Sequence, residues 1–162
     1  MSLVNERDVE WTETEHGETH FLRKSLSAAA SGDADPGLGC SLYELPPGGK
    51  SWPYHFHAAN AEALFVRSGT GTLRLGEERL PLAAGDYVPL PASEEGAHRV
   101  ENDGEESLSY LLVSTMVEPD VTVYPDSGKI GVYAGSPPGG RGERAVSGYF
   151  RTADAVSYWE GE

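Results

Sequence analysis

Cysteine is almost missing from this chain of 162 residues: Cys40 stands alone, so no internal disulfide can form and a reducing compartment is expected. Positive charge is scarce as well. Twelve Lys and Arg face 26 Asp and Glu, a formal net charge of -14, and the only lysines are Lys24, Lys50 and Lys129. Such a surface repels nucleic acid and anionic lipid, which speaks against either as a partner. No helix-turn-helix pattern or basic segment argues otherwise. Ile130 is the single isoleucine. A composition rich in acids and poor in lysine suits a protein adapted to high salt, where carboxylates keep the surface hydrated. Long apolar runs are absent too, and none approaches the length of a membrane span. The opening MSLVNERDVEW is acidic and lacks the apolar centre of a signal peptide, so a cytoplasmic location is the expectation.

What the chain does have is Gly (20) and Pro (11), with Val and Thr spread through its middle. That favours many short strands and tight turns over a helical bundle, and the length suits one domain. Residues 1–38 are polar and irregular and are expected to form an N-terminal arm with one strand and one helical turn, ending in the small-residue turn SGDADPG. Residues 39–116 differ. CSLYEL, EALFVRS, GTLRL, DYVPL, AHRV and LSYLLVST are short and rich in β-formers, and PPGG, SGTG, AAGD and NDGEE separate them. Turn signals at roughly 8–12-residue spacing mark an all-β sandwich or barrel. Residues 117–162 are expected to be a C-terminal extension packing on that barrel. It holds a strand at VTVYP, a hairpin at DSGKIGVYAG, and a Gly-Pro loop whose SPPGGRGE half is the best candidate for disorder. A helical turn in TADAVSYW would dock its aromatics on the barrel.

Only five histidines are present, and three fall in the β region. His55 and His57 are two residues apart, which on a strand puts both imidazoles on one face. Glu62 follows the turn AAN, and a hairpin of that loop length would set it opposite the pair. His98 opens a later strand and closes the set in a rolled sheet. Three imidazoles and a carboxylate make a mixed site for Fe, Mn, Ni, Co, Cu or Zn, and on an octahedral ion they leave two open positions. His16 and His20 flank a Gly-Glu-Thr turn without partner ligands, and Cys40 reads as packing. Trp52, Tyr54 and Phe56 alternate away from His55 and His57, and this row is expected at a homodimer contact.

The spacing is specific: Gly49, five residues, His55, one residue, His57, four residues, Glu62, six residues, Gly69. By this chain's residue frequencies it arises by chance roughly two times in ten thousand. It resembles the first motif of the cupin superfamily at every fixed position. Gly85-DYVPL-Pro91 followed by Gly96-Ala97-His98-RVE-Asn102 resembles the second motif, with a lengthened ASEE segment between Pro91 and Gly96. The resemblance implies an all-β double-stranded β-helix, the cupin or jelly-roll barrel. It also implies one divalent transition metal (Zn, Mn, Fe or Ni) on His55, His57, Glu62 and His98. CSLYELPPGGKSWPYHFH, EALFVRSGTGTLRL and VSTMVEPDVTVYPDSGKIGVY look more narrowly like a group of single-domain microbial cupins often labelled sugar-phosphate isomerase-like, usually without a demonstrated reaction.

An isomerase acting on a sugar phosphate needs cations for the phosphate. Strand parity turns Arg67 and Arg99 away from the metal and leaves Arg74 and Lys50 undetermined, so no base is placed inside the barrel. Three functional classes therefore stay open at this point: a metal-dependent isomerase, epimerase or lyase on a small polar substrate, an iron-dependent dioxygenase, and a non-catalytic module that binds a small molecule or a metal. The catalytic residues are unassigned.

Overall fold

The computed structural model describes residues 2–32 and 37–162, so most of the expected SGDADPG turn lies outside the described residues. A hairpin opens the fold, β1 (Thr12–His16) and β2 (Thr19–Ser25), followed by a short helix, α1 (Leu26–Ser31). The expected single strand of the arm is thus two, and β2 joins the main sheet. Next come β3 (Leu38–Leu45), β4 (Phe56–His57), β5 (Glu62–Ser68), β6 (Thr70–Leu75), β7 (Glu78–Ala83), β8 (Tyr87–Leu90), β9 (His98–Glu101) and β10 (Leu108–Thr115). The chain ends with β11 (Asp120–Tyr124), β12 (Lys129–Ala134) and β13 (Val146–Arg151).

These strands form three antiparallel sheets, in the orders β1-β2-β3-β10-β5-β8, β13-β12-β11-β4 and β7-β6-β9. Single bridges between His55 and His98 and between Lys50 and Glu101 stitch the sheets into a jelly roll. Alternation along each strand fills the interior. On β5, Leu64 and Val66 are fully buried while Phe65 and Arg67 between and beyond them face out. They meet Phe21, Tyr43, Leu45, Leu73, Leu108 and Tyr110 in one core.

Motif glycines mark close backbone approaches. A Cβ at Gly96 would collide with the Pro91 carbonyl, and one at Gly69, where φ is 81°, with the Ser107 carbonyl. The lengthened Pro91–Gly96 loop turns through a single 3₁₀ turn at Glu94–Gly96 and still delivers His98 to the head of β9.

Three expectations need correction. The segment between His57 and Glu62 is not a hairpin loop, since β4 pairs with β11 while β5 pairs with β10 and β8. The SPPGGRGE stretch is folded back on itself: the Arg144 guanidinium donates to the carbonyls of Ser136 and Pro137, both at 3.0 Å. The C-terminal aromatics do not dock, for Tyr158 and Trp159 are 83% and 76% exposed and touch each other.

Candidate metal centre

Three sheets converge on one point. His57 comes from β4, Glu62 begins β5 in the six-stranded sheet, and His98 begins β9 in the three-stranded sheet. His55, just before β4, bridges to His98 across the gap. Ligand atoms of His55, Glu62 and His98 all lie within 4.8 Å of one another, and this group could hold a metal ion. The Nε2 atom of His98 is 3.6 Å from Glu62 Oε2, and that of His57 is 3.9 Å from the same oxygen. His57 stands just outside the compact trio, on the same side of Glu62.

The donor set fits a metal because each ring is tied down from behind. His55 Nδ1 donates to the Pro53 carbonyl at 2.7 Å and His98 Nδ1 to the Gly96 carbonyl at 2.9 Å. His57 Nδ1 donates to Asp120 Oδ2 at 2.6 Å, and the other oxygen of Asp120 accepts from the Ala59 amide. A proton held on Nδ1 leaves the Nε2 lone pair of each imidazole free, the tautomer a metal ligand requires. Burial also matters. It pushes the His55 pKa well below the ordinary 6.5, aided by His98 and His57, so this ring stays neutral. Burial pulls His57 down as well, but the Asp120 hydrogen bond and the charges of Glu62 and Asp120 outweigh it, and the pKa rises. Asp120 in turn is held below its ordinary value, with burial opposing and the His57 hydrogen bond prevailing.

The cluster sits in a cavity of about 700 Å³, a size suited to a small molecule. Arg67 and Arg99 face outward as parity requires, paired with Glu6 and Glu18, while Arg74 is held by Asp126 and Lys50 by Glu18. The barrel strands thus place no base in the cavity, but the segments flanking them do. Arg23, on β2, lines it beside Tyr43, and Arg141 and Arg144 reach its rim from the folded Gly-Pro loop. The parity test followed the barrel strands and never reached these residues, which lie in the segments read as arm and extension.

The outward aromatic row also changes. Pro53 keeps residues 51–54 out of any strand, so parity lapses there. Trp52 packs edge-on against Phe21, donates its N–H to Tyr43 Oη at 3.1 Å and lines the cavity. Tyr54 is buried under the Arg74 guanidinium. His16 and His20 stay apart from the site, His20 pairing with Glu13 at the surface. Sequence reasoning missed Asp120, although a signal existed: in DVTVY the polar Asp120, Thr122 and Tyr124 alternate with valines, a polar face turned toward the interior.

Residues 41–114 match the family described as the cupin domain. The chain carries a cupin domain. Solved structures agree across nearly its whole length. A protein of Acidithiobacillus ferrooxidans, provisionally called a sugar phosphate isomerase, is 27% identical over 96% of this chain and 95% of its own, with a TM-score of 0.79. A cupin-superfamily sugar phosphate isomerase from Silicibacter pomeroyi is 20% identical over 96% and 97%, with a TM-score of 0.76. The polyketide cyclase RemF of Streptomyces resistomycificus is 21% identical over 71% and 79%, with a TM-score of 0.60. No curated protein sequence matches the chain. No helix among the described residues is long and apolar enough to cross a membrane.

Proposed function

We propose that this cupin is a metal-dependent enzyme of the isomerase, epimerase or lyase type, acting on a small, polar, anionic molecule. The observation that carries the reading is the set of three imidazoles whose Nδ1 atoms are spent on Pro53, Gly96 and Asp120, leaving Nε2 donors around Glu62 at the wall of a cavity. His55, His57, Glu62 and His98 would hold one divalent transition metal. Such an ion would act as a Lewis acid on an oxygen of the substrate.

The chain's own residues suit an anion. In a protein of net charge -14, Arg67, Arg74, Arg79, Arg99 and Lys50 are all paired with carboxylates, while Arg23 and Arg141 line the cavity with no carboxylate in ion-pair reach among the described residues. The structure from A. ferrooxidans carries a sugar phosphate isomerase name, and at 27% identity that name supports a substrate with both hydroxyls and an anionic group.

Metal analysis of protein purified without added metal, followed by turnover of sugar phosphates, tests the reading. Zinc, manganese or nickel at about one equivalent, with turnover independent of dioxygen, is the expected result. Iron with substrate-dependent oxygen uptake would instead establish the dioxygenase. Arg23→Ala is expected to raise KM about tenfold or more for an anionic substrate, the loss of one charge-assisted contact, with metal content unchanged.

A further inference from the structure

Beside the histidines stands a second constellation to which the metal reading gives no work. Tyr124 ends β11, Tyr133 lies on β12 and Tyr149 on β13, and all three line the cavity. The Tyr133 hydroxyl donates to that of Tyr149 at 2.8 Å, and the Tyr124 ring stands beside this pair. Their rings lie 6.1 Å (Tyr124–Tyr149) and 6.3 Å (Tyr133–Tyr149) apart. Tyr124 reaches furthest toward the metal centre, its ring stacked on His55 at 5.9 Å and 24°.

Backbone register shows how the cluster is accommodated. Gly131 on β12 is opposed by Thr122 on one side and by Tyr149 on the other. A Cβ at Gly131 would come within 3.0 Å of both the Tyr133 hydroxyl and the Tyr149 ring. The strand therefore does without a side chain at the one place where two phenols fold across it. Tyrosines gathered only for packing would send their polar ends toward water. Here the buried Tyr133 turns its hydroxyl to Tyr149, itself 63% exposed, at the cavity wall, with Lys129 over the Tyr124 ring at 5.3 Å and Arg144 over the Tyr133 ring at 5.0 Å.

We propose that Tyr124 is a specificity-determining residue: its hydroxyl, placed by the stacking of its ring on His55, donates a hydrogen bond to an oxygen of the small molecule held against His55, Glu62 and His98. The inference rests on the metal-centre reading above. Burial, with Tyr149 adding to it, pushes the Tyr124 phenol up to about 12, so the group is a neutral donor throughout the ordinary pH range. A preorganised donor in a partly dry cavity stabilises negative charge on the oxygen it faces better than water does.

Cobalt-loaded protein with glycolate, a small 2-hydroxy acid, supplies the test, followed by the visible absorption of the metal. Tyr124→Phe keeps the ring and its packing and removes only the hydroxyl. It is expected to bind one cobalt as the unaltered chain does and to bind glycolate about tenfold more weakly. Tyr149→Phe, which removes a group behind the donor, should weaken glycolate less. A Tyr124→Phe affinity within twofold of the unaltered chain, or no glycolate binding by the cobalt-loaded unaltered chain, overturns this inference alone. A chain that takes up no cobalt overturns the metal-centre reading and this inference with it.

Discussion

Asp120 Oδ2 lies 2.6 Å from His57 Nδ1 and is wholly shielded from solvent, so one carboxylate sets the tautomer, the orientation and the basicity of the imidazole. Asp120→Asn is expected to lower metal affinity about 10–100-fold with the fold intact, measured by competition with a coloured chelator. His57→Ala should abolish stoichiometric binding, and retention of a full equivalent by that variant would remove His57 from the ligand set. The same residues shape the pH dependence of the metal-free protein. His55 has a lowered pKa and takes up fewer protons folded than unfolded, so stability falls as pH drops below 6.5. His57 has a raised pKa, so its contribution is complete below 6.5 and is lost as pH climbs through the folded value. Asp120, held low, contributes above 3.8 and loses that contribution in stronger acid. Urea unfolding in the presence of chelator should therefore show greatest stability near pH 6.5. His55→Gln would flatten the acid side of that curve, and His57→Gln the alkaline side.

At the scale of elements, β5 shows why so much was legible: EALFVRS reads inward at Glu62, Leu64 and Val66 and outward at Phe65 and Arg67, and its residues fall so. Period-2 alternation and fixed Gly spacing locate a strand and its inner face from local physics alone. What they cannot supply is which strands pair. β4 and β5 are adjacent in sequence yet belong to different sheets, because β4 gains its partner from β11, more than sixty residues away. Asp120, Arg23 and the three tyrosines were missed for the same reason: each reaches the site through long-range pairing of segments that look peripheral, and even the polar face of DVTVY does not tell which cavity it meets. Asn102 illustrates a motif position with an architectural role. Buried at 2% exposure, its amide donates to the carbonyls of Leu45 and Glu106 and its oxygen accepts from Gly104, closing the turn between β9 and β10. Asn102→Ala strips donors from the buried Leu45 carbonyl and from that of Glu106, and should cost about 1–3 kcal/mol by denaturant titration. Leu64→Ala, which opens a void in the core, should cost about 2–5 kcal/mol.

Taken whole, the molecule carries a surface of strongly one-signed charge, and five of its twelve bases, Lys50, Arg67, Arg74, Arg79 and Arg99, are engaged in ion pairs. Screening the mutual repulsion of 26 acids should raise the melting temperature between low and molar salt, and a flat response would count against salt adaptation. A homodimer remains the expected assembly, though the surface it would use has moved. With Trp52 and Tyr54 committed within the chain, a run of exposed apolar side chains on β13 and the tail, at Phe150, Val156, Tyr158 and Trp159, is the surface it would use, although Leu3, Leu38, Phe65 and Tyr87 are exposed elsewhere. Light scattering should find a dimer, and removal of residues 156–162 should weaken it. The meeting of three sheets at the histidine cluster has one more consequence. An ion held there would act as a rivet through strands that share few other ties, coupling the beginnings of β5 and β9 to β4. Amides in all three should then slow their hydrogen exchange together, by one common factor, when metal is added, while those of β1 and β13, at the outer edges of their sheets, keep their rates.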